Sequence, residues 1–158
     1  MQITQEVLAT KGKRFGNFVM DLIFRYVLLF IIGIIAAIID PEGVAAWAEN
    51  VTKLEDIMYG LVVLVVYFIV TESLFQRTVG KLITGTKVVM ADGSKPGFGT
   101  IVLRTLCRLI PFEMFSFVGE DSYGWHDSLS KTYVVDVKLY NEALNRRNSF
   151  DEIGQNQY

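Results

Sequence analysis

Two apolar blocks, residues 26–39 and 57–71, constrain this chain more than any other feature in it. From Tyr26 to Ile39 no residue is charged, and IMYGLVVLVVYFIVT (57–71) is equally free of charge. A rise of about 1.5 Å per residue makes the first block about 21 Å long, short of a hydrocarbon core of about 30 Å. Starting at Phe15 lengthens it to about 37 Å, enough to span with some tilt. The second block reaches about 28 Å if it runs to Phe75. Two such helices in the core of a soluble domain would need far more covering chain than 158 residues supply. A hydrophobic share of 51% and a mean hydropathy of +0.35 agree with membrane spans at about 15–39 and 57–75. A secretory signal is the alternative for a basic N-terminus before an apolar run. It fits poorly, because Asp21 and Arg25 would interrupt it and no clear A-x-A site follows.

The longer first span admits charge. Arg14, Asn17, Asp21 and Arg25 recur at i, i+3, i+7 and i+11, so they share one helix face. Ionisable groups at membrane depth turn towards a bundle or a wet cavity and pair with one another. Glu72 closes the second span at the same end, and Arg104 and Arg108 stand one turn apart on the element that returns there. The expectation is one charge network in which arginines make Asp21 tolerable.

Loop charges set the orientation. Lys11, Lys13 and Arg14 precede the first span, and Arg77, Lys81, Lys87, Lys95, Arg104 and Arg108 follow the second. The connection DPEGVAAWAENVTKLED holds five acidic residues and one lysine. The positive-inside rule places the N-terminus and everything after residue 75 in the cytoplasm. Trp47 and Tyr59 are the expected interfacial aromatics on the outer side.

The second half reads as a small cytoplasmic β-hairpin or sheet. GKLITGTKVV and TIVL bracket an Asp-Gly turn reinforced by Pro96 and Gly97, and TYVVDVKLY (132–140) alternates as a strand. A third apolar element at about 98–119, broken by Pro111 and Glu113, reads as interfacial, re-entrant or a short span. Residues 1–140 are thus one mainly α membrane domain, a two-helix hairpin with that third element and the sheet. Residues 141–158 are polar and read as a frayed tail.

The chain at this point resembles the RDD family of small bacterial and archaeal membrane proteins. The likeness rests on Arg14 seven residues before Asp21, T-x-G-K at Thr78, Gly80 and Lys81, V-V-M-A-D-G from Val88 to Gly93, the Arg104/Arg108 pair, and W-H-D-x-x-x-K-T from Trp125 to Thr132. The family is named for one arginine and two aspartates, which here fall on Arg14, Asp21 and Asp127. The resemblance, over residues 12–137, implies a bacterial inner-membrane address. It also implies a transport-related role for which cation/proton exchange has been proposed.

Each charged feature has a functional and a structural reading. Asp21 reads as a proton or cation carrier modulated by Arg14, or as half of an ion pair that fixes helix register. His126–Asp127 reads as a proton relay, or as a loop in which Asp127 caps a turn or meets Arg104 or Arg108. Glu113, Glu120 and Asp121 read as solvated carboxylates, without the spacing of a divalent-cation site. GKLITGTK is not a phosphate loop, since its glycine and lysine order differs from G-x-x-x-x-G-K-[ST]. Cys107 between two arginines has no second cysteine or obvious base, and with His126 as the one histidine neither a metal centre nor a cofactor is expected. No nucleophile–base pair is present, so an enzyme is not expected. The expected partners are the lipid bilayer, further copies of the chain and a cation or proton; a net charge of −2 argues against nucleic acid. Exchange would require an oligomer, because two spans per chain cannot line a pathway. The competing function is a membrane-anchored interaction or assembly protein without transport.

Overall fold

The computed structural model describes residues 3–110 and 124–155, the last six of these by backbone alone. Helix α1 runs Lys11–Ile39, four residues earlier than the span read from hydropathy, because the Thr10 hydroxyl caps it by accepting from the Lys13 amide (3.4 Å). The acidic connection is not a loop but helix α2 (Pro41–Asn50). Asp40 caps it, with its side chain on the Gly43 amide at 2.9 Å, and Pro41 fills the first helical position. Helix α3 (Lys53–Phe75) also begins before its apolar block, with a Thr52/Glu55 capping box. Trp47 and Tyr59 meet edge to face at 5.9 Å and tie α2 to α3.

Among the described residues, α1 and α3 are the two helices long and apolar enough to cross a membrane. Their apolar surfaces lie bare among the described residues: Phe30 is 70% exposed, Ile38 77% and Ile39 78%. The buried residues of α1 are Arg14, Asn17 and Asp21, and those of α3 are Tyr67 and Glu72. This reverses the soluble pattern, in which the polar face meets water and the apolar face is covered.

Beyond α3 the chain builds a cap. Helix α4 (Val79–Thr84) ends on Gly85 at φ +68°, a left-handed terminus that glycine adopts without strain. Strand β1 (Thr86–Met90) follows, then helix α5 (Phe98–Cys107), helix α6 (Trp125–Ser130), strand β2 (Thr132–Asp136) and helix α7 (Val137–Gln155). β1 and β2 pair antiparallel, Thr86 opposite Asp136 and Met90 opposite Thr132. The expected sheet is therefore present. It is not a hairpin around Asp92-Gly93, because α5 and α6 lie between its strands. The N-terminal segment lies along the free edge of β2, with the Ala9 amide donating to the Val134 carbonyl at 2.9 Å. Val7, Val89, Val135 and Tyr140 form the small apolar core of this cap.

Three further expectations yield to the structure. TIVL is not a strand but the middle of α5, where Ile101, Arg104 and Thr105 fall on one helical face and are buried. Strand β2 stops at Asp136 rather than Tyr140. The Asp136 carboxylate takes the Lys138 amide at 2.9 Å and the Leu139 amide at 3.4 Å, which starts α7. The polar segment after residue 140 is consequently helical as far as Gln155, not frayed. Of the third apolar element expected at 98–119, α5 and the turn at 108–110 account for the first part, while residues 111–119, with Pro111 and Glu113, lie outside the described residues, as do Glu120 and Asp121.

Candidate functional site

The polar face of α1 meets α4, α5 and α6 in a cluster of ion pairs at the base of the two apolar helices. Glu72, Arg104 and Asp127 are each 0% exposed. Buried charge at this level is sustained only when partners replace the lost water. Glu72, at the end of α3, supplies one hub. Its Oε1 accepts from Lys81 Nζ at 3.0 Å and from Arg108 Nη2 at 2.7 Å, and its Oε2 lies 3.3 Å from Arg104 Nε. Phe68, one turn earlier on α3, stacks beneath Arg108, its ring centre 4.1 Å from the guanidinium carbon. Burial pushes the Lys81 ammonium below its usual pKa, although Glu72 pulls the other way.

Asp127, near the start of α6, is the second hub. It is ion-paired with Arg14 through Oδ2 and with Arg104 through Oδ1, and His126 Nε2 stands 3.3 Å from Oδ1. Burial works against its charge, but Arg104, His126 and Arg14 outweigh that and hold the carboxyl well below the usual carboxylate range. The Gly124 amide also reaches Asp127 Oδ2 at 3.4 Å, so one carboxylate starts α6 and anchors it to α1 and α5. Both structural roles read from the sequence are combined, except that the partners are Arg14 and Arg104 while Arg108 goes to Glu72. The adjacent side chains of His126 and Asp127, in the first turn of α6, approach each other as well. Arg104 joins the two hubs and binds Thr132 of β2 as well.

Asp21 is held differently. Tyr67 Oη donates to its Oδ1 at 2.8 Å, the Gly80 amide to the same oxygen at 2.7 Å, and Thr78 Oγ1 to Oδ2 at 2.6 Å. No arginine pairs with it among the described residues, which corrects the sequence expectation. Arg14 is drawn to Asp127, and Arg25 lies against the Tyr26 ring at 5.9 Å. Its two oxygens are thus satisfied by three neutral donors, from α3, from the residue that caps α4 and from α4 itself. Gly80 matters for steric reasons: a Cβ there would lie 2.9 Å from Asp21 Cγ and collide with the Asn17 carbonyl. The Asn17 amide, one turn before Asp21, sits between Thr84 and Thr86, 3.0 Å from the latter hydroxyl.

Of the charged residues singled out from the sequence, Arg14, Glu72, Arg104, Arg108, His126 and Asp127 are linked by successive ion-pair contacts, Asp21 is adjacent through Thr78 and Gly80, and Arg25 lines the same cleft with no ion pair among the described residues. Tyr67, Thr78, Gly80, Lys81 and Thr132 are participants that spacing arguments passed over. The T-x-G-K match already marked three of them. Tyr67 had a weak signal of its own, a hydroxyl-bearing side chain inside the apolar block at 57–71. Cys107 is buried.

A cleft of about 220 Å³ opens between α1, α3 and the cap. Arg14, Arg25, Lys81, Arg104 and Arg108 reach it, with Asp21 and His126; Phe18, Leu22, Leu64, Phe68 and Ile110 supply apolar walls.

Two bare apolar helices bolted by buried ion pairs to a polar cap have the build of a small helical membrane protein. The chain belongs to the RDD family, whose model matches residues 8–130. Comparison with curated proteins and with solved structures gave no match. Membership and the exposed apolar helices together point to a membrane location. All three residues assigned to the family name, Arg14, Asp21 and Asp127, are buried at the junction of helices and cap.

Proposed function

We propose that this protein is a non-enzymatic membrane anchor that holds a cytoplasmic cap at the inner membrane for interaction or assembly, and that it does not exchange cations. The observation that carries this reading is the occupancy of its carboxylates. Glu72 and Asp127 are each shared among cationic side chains, Asp21 is filled by three protein donors, and five cationic residues line the cleft through which a cation would approach. A cation entering there meets positive charge at low dielectric, where repulsion is screened least.

The positive-inside asymmetry supports a cytoplasmic N-terminus and cap. Helix α5 supports a cap that rests on the bilayer surface. Its inward face, Ile101, Arg104, Thr105 and Cys107, is buried, while Phe98, Leu103 and Leu106 are exposed. An exposed apolar face is stable at a headgroup–acyl boundary and costly in water.

The exchange reading keeps one specific support. Asp21 accepts its hydrogen bonds from neutral donors and forms no ion pair among the described residues, which leaves it the one carboxylate of the cluster not committed to a cation. Proton movement in proteoliposomes driven by sodium or potassium gradients separates the two readings, with wild type and Asp21→Asn at matched incorporation. Anchoring predicts no exchange in either, with the variant less stable. Exchange in the wild type that Asp21→Asn abolishes would replace the anchor by an oligomeric exchanger.

A further inference from the structure

Among the described residues the cleft carries a charge imbalance that the ion pairs do not cancel: Arg14, Arg25, Lys81, Arg104 and Arg108 stand against Asp21, Glu72 and Asp127, five cations against three carboxylates. Arg14 is 6% exposed, and only its Nη1 is spent on Asp127. Its Nε and Nη2 are buried with no hydrogen-bond acceptor among the described residues. A buried guanidinium with idle donors is costly unless acceptors complete it, and in a cleft with this charge excess an anion supplies them best. Guanidinium geometry suits the oxygens of a phosphate, which accepts two parallel N–H bonds.

The walls select the kind of anion. Beside these cations, Phe18 and Leu22 of α1 and Leu64 and Phe68 of α3 line the cleft, and they belong to the two helices whose apolar surfaces are otherwise bare. A soluble phosphate ester gains nothing from such walls. An anionic amphiphile gains from both ends, headgroup on arginine and chain along α1 and α3. Arg25, without a carboxylate partner among the described residues, adds positive potential to the lining.

We infer that the cleft between α1, α3 and the cap is a binding site for the phosphate of an anionic phospholipid, with Arg14 as its principal donor. The inference rests on the anchoring reading, in that both take the cleft as hostile to cations. The lipid would then occupy the space an exchanger would need for its ion.

Native mass spectrometry of the full chain, released from detergent with added phosphatidylglycerol, diacylglycerol or inorganic phosphate, tests it. Arg14→Lys keeps the charge and the reach towards Asp127 but removes Nε and Nη2 as donors. It should weaken phosphatidylglycerol binding about tenfold, the scale of one lost charge-assisted hydrogen bond. Arg25→Gln leaves every ion pair of the cluster intact and should weaken the same lipid a few-fold, which keeps the test alive if Arg14→Lys does not fold. Diacylglycerol, lacking phosphate, should not bind. Phosphatidylglycerol binding unchanged in both variants, diacylglycerol binding as well, or inorganic phosphate binding as tightly as the lipid would each overturn the assignment. Absence of cation exchange together with unchanged lipid binding in the variants would remove this site and leave the anchor reading standing.

Discussion

Asp21 and Asp127 are both buried aspartates, yet their neighbours give them different work. Asp127 is charge-compensated, whereas Asp21 is hydrogen-bonded by neutral groups. Replacing Asp127 by Asn strands Arg14 and Arg104 without their carboxylate and should cost about 3–5 kcal/mol, the range for a broken buried pair. Asp21→Asn keeps one acceptor for Tyr67, Thr78 and Gly80 and should cost less, about 1–3 kcal/mol. Reversible unfolding in detergent would rank them, and equal costs would contradict this division. The pH dependence follows from Asp127, whose carboxyl titrates below its usual range in the folded state. A depressed carboxylate contributes stability that is fully present above the unfolded value, about pH 4, and is lost as pH falls through the folded one. Melting temperature should therefore show no loss from this group between pH 7 and 5, and should fall below pH 4. Asp127→Asn should flatten that acid limb.

At the scale of elements, the close seat of α4 on α1 is set by Gly80. Gly80→Ala places a methyl group against the Asn17 carbonyl and the Asp21 side chain, so α4 must withdraw and the bonds from Thr78 and Gly80 to Asp21 must lengthen. The expected outcome is a loss comparable to Asp21→Asn, and the double variant should lose little more than either alone, since both remove one set of contacts. Additive losses would separate the glycine from the aspartate. Helix α7 is fastened to the sheet by Tyr140, which packs with Val7, Val89 and Val135 and donates to the Gly93 carbonyl at 3.0 Å. Tyr140→Ala should destabilise the cap by about 3–5 kcal/mol, as for other large aromatic truncations. Amide exchange over β1, β2 and α7 would detect it, while α1 and α3 stay protected. The Lys13–Asp136 pair, whose lysine is 40% exposed, should be worth under about 1 kcal/mol.

For the whole molecule, topology is the first thing to measure. In a Cys107→Ser background, cysteines at Ala45 and Ser149 should label from opposite sides of the membrane, Ala45 from outside. Both positions are exposed, so failure to label reports sidedness rather than burial. External labelling of Ser149 would place the cap outside and overturn the anchor orientation.

Much of this architecture was legible because hydropathy and helix period are local properties. The apolar blocks marked α1 and α3, and the i, i+3, i+7 spacing marked the buried face of Arg14, Asn17 and Asp21. Local reading failed where two local preferences competed. In TIVL, β-branched residues favoured a strand, but burial of Ile101, Arg104 and Thr105 on one face made it helical. At Asp136 a side-chain cap ended the strand before its alternation ran out. The acidic connection and the polar C-terminal segment lacked apolar period and passed for loop and tail, although Asp40 and Asp136 were in place to start helices. By itself the sequence determined that charged residues must share a sheltered site at one end of two apolar helices, because each unpaired charge there is too costly. Only the tertiary structure decided the partners, sending Arg14 to Asp127, Glu72 to Lys81, Arg104 and Arg108, and Asp21 to neutral donors. Those pairings join residues far apart in the chain, and which of them form depends on how α4, α5 and α6 pack, which no local period encodes.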